Sequence, residues 1–220
     1  MLSNPKDKIE EQNLLHKAMI ASEDGRVPEA RRALEKVLAL NPKSPTALRQ
    51  LGELELQAAD YKKAAQHLKA AVEMRPDDAT AAFYDGQALE KLHDLAGARA
   101  ALESSLKLLP GQFPARMLLG QVYLGLKDPK AAEDQFEAAL LLQSNSLDAR
   151  LGLASAQIAE GNFADAVRQL EALSKTRTKN AAIFELLAKA YAGSGKAVEA
   201  RQAEARAKLL RQHTSRSASR

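Results

Sequence analysis

Residues 113–146 read FPARMLLGQVYLGLKDPKAAEDQFEAALLLQSNS. With a 3.6-residue period they form two short amphipathic helices. The first carries Leu119, Gly120 and Tyr123 on one face, and the second Ala132, Phe136 and Ala139. Lys127-Asp128-Pro129 separates them: Asp128 is placed to cap the second helix, and Pro129 fits its first position, where a missing N–H costs nothing. Two helices of this size cannot bury a core alone, so they need neighbours of the same kind.

Moving the window by 34 residues in either direction gives starts at Glu11, Pro45, Ala79, Phe113, Leu147 and Ala181, with no insertion or deletion. Place 20 of the window is Ala in all six repeats: Ala30, Ala64, Ala98, Ala132, Ala166 and Ala200. Place 8 is Ala18, Gly52, Gly86, Gly120, Ala154 and Ala188, each small enough to let helix axes approach closely. Place 24 holds a large apolar knob, Leu34, Leu68, Leu102, Phe136 and Leu170, and place 32 is Pro42, Pro76 and Pro110 in the first three repeats. The knob is sized to fill what the small residues leave open.

This pattern resembles the tetratricopeptide repeat, whose 34 residues carry a large apolar residue, Leu-Gly, Tyr, Ala, Phe and Pro at set places. Leu51-Gly52 and Leu119-Gly120 reproduce the Leu-Gly pair, and Tyr123 and Tyr191 the tyrosine. Lys17 and Asp85 depart from it where leucine belongs, and Ser144, Thr178 and Gln212 where proline belongs. The resemblance covers residues 11–212. It implies an all-α fold, an α-solenoid of six tandem helix-turn-helix repeats in a right-handed superhelix, whose concave face binds a peptide segment of a partner. The expected organisation is an N-terminal helical extension over 1–10, repeats over 11–44, 45–78, 79–112, 113–146, 147–180 and 181–212, and a disordered basic tail over 213–220. The lead-in NPKDKIEEQNLLHKAM also resembles the linker before the repeat tails of some bacterial sulfatase-type hydrolases.

Composition agrees with slim, closely packed helices: 4% aromatic residues, no Trp and no Cys. The absence of Cys excludes disulfides, thiolate metal sites and a cysteine nucleophile. No run reaches the ~20 apolar residues of a membrane span, and the polar start MLSNPKDKIEEQN lacks a secretory core. The expectation is therefore a soluble chain, cytoplasmic by default. A net charge of +4 raises the question of nucleic acid. From Lys196 to Arg220, however, seven Lys and Arg stand against Glu199 and Glu204, a balance of +5, which leaves −1 for the preceding 195 residues. A near-neutral array with a basic end is no track for phosphates.

Chain punctuation fits the repeat scheme. Asn4-Pro5 starts a helix that runs to about Glu23, and Gly25 turns the chain. Asp60 and Asp94 are expected caps inside pairs, and Ser44 and Asp78 caps between pairs. In the last repeat Glu204 replaces the knob, as an exposed end surface requires.

Chemistry is absent by pattern. His16, His67, His93 and His213 never stand three or four residues apart, so there is no helical metal pair. Gly193-Ser194-Gly195-Lys196 lacks the first Gly and the final Ser or Thr of a phosphate loop and reads as a turn. Asp77-Asp78 reads as a helix start. No catalytic, cofactor or metal site is assigned, and the chain is not expected to be an enzyme.

The informative residues lie at places 2, 5, 9, 12 and 13, a single stripe of the first helices that lines the family's inner face. Place 5 is Phe83, Met117 and Leu151 in the middle repeats; place 9 is Gln87, Gln121 and Ser155; place 12 adds Leu124 and Ile158. The family's carboxylate clamp of Lys, Asn, Lys and Arg does not carry over, because the matching positions offer Phe83, Gln87, Leu118 and Pro114 or their equivalents. Its asparagine ladder also fails, since place 6 is His16, Gln50, Tyr84, Leu118, Gly152 and Leu186. What remains is a groove, apolar at its centre and slightly acidic, suited to a protein or peptide with apolar anchors. Two alternatives stand beside this scaffold: an accessory module of a larger, sulfatase-type enzyme, and a self-associating structural array. On the stripe itself, the competing reading is that Phe83, Met117 and Leu151 only pack between neighbouring first helices.

Overall fold

The structure is a computed structural model that describes the backbone of residues 4–218 and the side chains of 4–213. Among these residues there are twelve α-helices and no strand. They pair in chain order: α1 (Pro5–Glu23) with α2 (Val27–Leu40), α3 (Pro45–Gln57) with α4 (Tyr61–Met74), and α5 (Ala79–Lys91) with α6 (Leu95–Leu108). Then follow α7 (Phe113–Gly125) with α8 (Pro129–Leu142), α9 (Leu147–Glu160) with α10 (Phe163–Thr176), and α11 (Ala181–Gly193) with α12 (Ala197–Ala218). From α3 onward every first helix starts on the first place of its window. Second helices start every 34 residues from Val27 to Ala197.

Local chemistry explains these starts. Asn4 caps α1 by accepting the Lys6 N–H at 3.1 Å, with Pro5 at the first position. Asp78, Asp94, Asp128 and Ser146 each accept the N–H three residues on, at 2.9 to 3.2 Å. Ser44 takes the cap position of α3, but its side chain makes no capping bond. At the other end, α12 continues to Ala218, past His213, where an unstructured tail was expected; residues 219 and 220 lie outside the described ones. Extending an existing helix fixes only one residue per added bond, so no apolar face is needed to carry it a few turns further.

The turn inside each pair has one recurring feature. Place 15 adopts the left-handed conformation in all six repeats: Gly25, Ala59, His93, Lys127, Gly161 and Gly195, with φ between 58° and 92°. Three of these residues carry a Cβ and bear the cost that glycine avoids.

The chain divides into two compact units, Met1–Ala115 and Arg116–Arg220. In each, a helix packs on the one before it and the one after it, and first helices of successive pairs also touch, α3 with α5 and α9 with α11. The knobs are buried: Leu34, Leu68, Leu102, Phe136 and Leu170 are at most 1% exposed. A Cβ on Gly86 would lie 2.6 Å from Leu102 Cγ, and one on Gly120 2.7 Å from Phe136 Cζ, so place 8 must stay small. Place 20 is fully buried from Ala30 to Ala166; Ala200, after which no helix pair follows among the described residues, is half-buried. Phe136 is the one aromatic knob, and the structure shows its compensation. Gly152, at place 6 of the following repeat, would put a Cβ 2.5 Å from Phe136 Cε1.

Two outcomes are expected. Ala59→Gly should raise stability to urea by about 1 kcal/mol, because it relieves the left-handed strain at that turn; an unshifted midpoint would show that the turn is unstrained. Gly152→Ala should cost roughly 1 to 3 kcal/mol through overpacking, and much less in a Phe136→Leu background. A double-mutant cycle with no coupling would mean that the ring has room to move.

Candidate functional site

Each first helix buries its Ala and Leu positions and leaves a stripe at places 5, 9, 12 and 13 toward its own outer side. In the C-terminal unit, Met117 and Leu124 of α7 are half-buried and pack on the cluster of Ala132, Phe136, Leu153 and Ala156. Leu151 and Ile158 of α9 are also half-buried and pack, with Phe184 and Leu186 of α11, on the cluster around Leu170, Ile183 and Leu187. Both readings of the stripe therefore hold in part: each side chain has one flank in the core and keeps the other accessible. Gln121 is exposed, and the Ser155 hydroxyl donates to the Leu151 carbonyl at 2.8 Å, which commits its proton to its own helix. In the N-terminal unit Phe83 and Gln87 are half-buried, and the Phe83 ring sits 5.2 Å from that of Tyr84. Tyr84, Phe184 and Leu186 join these surfaces without belonging to the expected set.

Beneath the stripe lie polar groups that a reading by single places misses. Glu55 of α3, 1% exposed, receives Arg31 Nη1 of α2 at 3.4 Å and lies 2.7 Å from His67 Nδ1 of α4. Three repeats later the same three places meet again with different chemistry. Gln157 of α9 donates to Glu133 of α8 at 3.2 Å and accepts from Gln169 of α10 at 3.2 Å. The hydrogen bond from Lys130 at 2.9 Å holds the Glu133 carboxyl below its usual range in spite of burial. The signal was present in the sequence as the twelve-residue spacings Glu55 to His67 and Gln157 to Gln169, at identical places of the window.

Asp85 of α5 stands where the repeat calls for leucine. Its Oδ1 is buried with no hydrogen-bond partner, and burial pushes the carboxyl up to about 6, with Lys69 pulling it down and Asp94 adding to the rise. Among the described residues no three His, Asp or Glu could hold a metal ion, and no helix is long and apolar enough to cross a membrane. The Gly193 to Lys196 segment forms the turn between α11 and α12.

Tandem helix pairs of constant length, with a half-exposed stripe on the first helices, define a helical-repeat solenoid whose variable surface is that stripe. Two tetratricopeptide-repeat models match the chain, one over residues 15–79, 50–113 and 85–149 and the other over 123–190. The chain belongs to the tetratricopeptide repeat family. Similar solved structures include a tetratricopeptide repeat protein from Parabacteroides merdae, with TM-score 0.73, 20% identity, and coverage of 88% of this chain and 77% of that one. Another is YrrB, described as a TPR protein with an unusual peptide-binding site, with TM-score 0.71, 21% identity, and coverage of 85% and 100%. PilF from Pseudomonas aeruginosa gives TM-score 0.72, 20% identity, and coverage of 95% and 93%. At these identities the likeness is one of fold. No curated protein matches the chain, so the sulfatase-type likeness of the lead-in has no relative behind it.

The raised carboxyl of Asp85 sets a pH dependence. Its folded value lies above the unfolded one, so the native state binds the extra proton between about pH 4 and 6, and stability falls as pH rises through that window. Asp85→Asn should therefore stabilise the chain at about pH 7.5, by roughly 1 to 3 kcal/mol before allowance for solvent screening, and give no gain near pH 4. Denaturation curves at the two pH values check this; an equal effect at both would assign the change to packing rather than charge.

Proposed function

We propose that this chain is a protein-interaction scaffold that binds a partner peptide or helix through apolar contacts on the stripe of its first helices. Met117, Leu124, Leu151 and Ile158 supply the apolar surface in the C-terminal unit, with Gln121 and Ser155 beside them. Phe83 and Gln87 occupy the same repeat places in the N-terminal unit. The observation that carries the reading is the half-exposure of Met117 and Leu151 at one place of successive repeats. The core needs only one flank of each, so the accessible flank is apolar surface without an internal partner. Gln87 and Gln121 offer donors and acceptors for a segment's backbone without demanding charge, so binding should depend weakly on salt. The description of YrrB as a peptide binder supports the same use of this fold.

Peptides selected on the wild-type chain from a random library test this. They should carry spaced apolar anchors, and Met117→Glu should leave the helical circular dichroism intact while removing their binding. Phe83→Ala should weaken binding of a segment that reaches it by ~1 to 3 kcal/mol. Loss of the fold in Met117→Glu would make the side chain core only; peptide binding that survives both Met117→Glu and Leu151→Glu would overturn the stripe as the site.

A further inference from the structure

A separate feature opens on the stripe of the N-terminal unit. Helices α1, α2 and α3 enclose a cavity of about 180 Å³. Its floor is apolar, formed by Ala18, Ala30, Leu34 and Leu54, all buried. Its wall carries Ser22 and Glu23 from α1 and Gln50, Glu53 and Gln57 from α3. Met19, Glu23, Arg49 and Glu53 of the lining stand at stripe places 9, 13, 5 and 9, so the cavity continues the surface assigned above to peptide binding.

Three observations specify what the cavity lacks. Gln50 Oε1 is buried and has no hydrogen-bond partner, a state that costs roughly 1 to 3 kcal/mol until an N–H reaches it. Glu23 makes no ion pair among the described residues. Glu53 is paired with Arg49, but Arg49 Nε also lies 3.3 Å from Asp78, and burial still pushes the Glu53 carboxyl up against that pairing. The lining carries Glu23 and Glu53 against Arg49, a net charge of −1. The missing partner is thus a cation that donates several hydrogen bonds from the end of an apolar stem.

We propose that this cavity is a subsite for one arginine side chain of a bound peptide, with its guanidinium donating to Gln50 Oε1 and to the Glu23 and Glu53 carboxylates. The methylene stem lies along Ala18, Leu34 and Leu54. Arginine fits better than lysine because the acceptors are distributed over two helices. A planar group with five fixed donors serves several such acceptors together, whereas an ammonium is a strongly hydrated point charge. The subsite rests on the stripe being a peptide surface, and it adds a charged determinant to a surface otherwise read through apolar anchors.

The test is a titration of the ¹⁵N-labelled full chain with N-acetyl-arginine N-methylamide, and with the citrulline and lysine analogues as controls. The arginine probe should give saturable shifts at the amides of Ser22, Gln50 and Gln57, and citrulline, which keeps the shape but loses the charge, should not. Glu23→Gln and Gln50→Leu should each weaken the arginine probe at least about threefold. Glu23 is exposed, so its variant is safe for the fold even if Gln50→Leu is not. Equal shifts with citrulline, or undiminished shifts in Glu23→Gln, would overturn the subsite, and lysine binding as tightly as arginine would overturn the assignment to a guanidinium. If the arginine probe leaves α1 and α3 unshifted while library peptides still depend on Met117, the subsite fails and the stripe stands. If the probe binds there while peptide capture ignores Met117→Glu and Leu151→Glu, the stripe fails and the cavity binds arginine by itself.

Discussion

The fold depends on one contact made again in each repeat, a large apolar knob on the second helix set against a small residue on the first. Leu102 on Gly86 and Phe136 on Gly120 leave no space for a Cβ at the glycine. That contact fixes how closely the helices of a pair approach, and the approach in turn decides which residues of the first helix face inward. Interiors of this density transmit any change of volume to their neighbours. Phe136 demonstrates it: a ring where other repeats have leucine is matched by Gly152 one repeat on, at a place otherwise held by His, Gln, Tyr or Leu.

Because packing is settled by a few small and large residues, the remaining places of the first helices are free to vary. The stripe uses this freedom, with Phe83, Met117 and Leu151 at one place and Arg49 and Glu185 at the same place elsewhere. Chemistry thus changes along the array while the backbone repeats. An apolar patch in one stretch and a polar cavity in another are the result expected of a recognition surface, since no reaction centre constrains the residues.

The helix pairs were legible in the sequence almost to the residue, because a 34-residue period without insertions places all starts at once. Aspartates and asparagines before the apolar runs marked the caps for the same reason. The left-handed place 15 was not legible: Gly25 and Gly161 announce it, but Ala59, His93 and Lys127 hide it, since nothing local favours φ > 0 in those residues. Continuation of α12 beyond His213 was hidden too, because helix can extend without an apolar pattern. For the stripe, the places could be named but not their exposure. Half-burial of Met117 and Leu151 depends on the neighbouring first helix, and periodicity within a single helix carries no information on it.

The polar triads under the stripe show why near-identical repeats still assemble in one order. Place 21 is Arg31, Ala65, Arg99, Glu133, Val167 and Arg201, so the second helices differ where they meet place 11 of the next repeat. Glu55 finds Arg31 there and His67 on its other side. If α3 and α4 packed instead on a helix offering Ala or Val, the buried carboxylate would lose its cation, and on one offering Glu133 it would meet a second carboxylate. Leaving a buried charge without its partner costs several kcal/mol, far more than the pair adds when satisfied. The neutral amides of Gln157 and Gln169 suit Glu133 for the complementary reason, since they donate one hydrogen bond and relay another without bringing a like charge. In an array whose apolar contacts are nearly interchangeable, these few polar residues distinguish one neighbour from another.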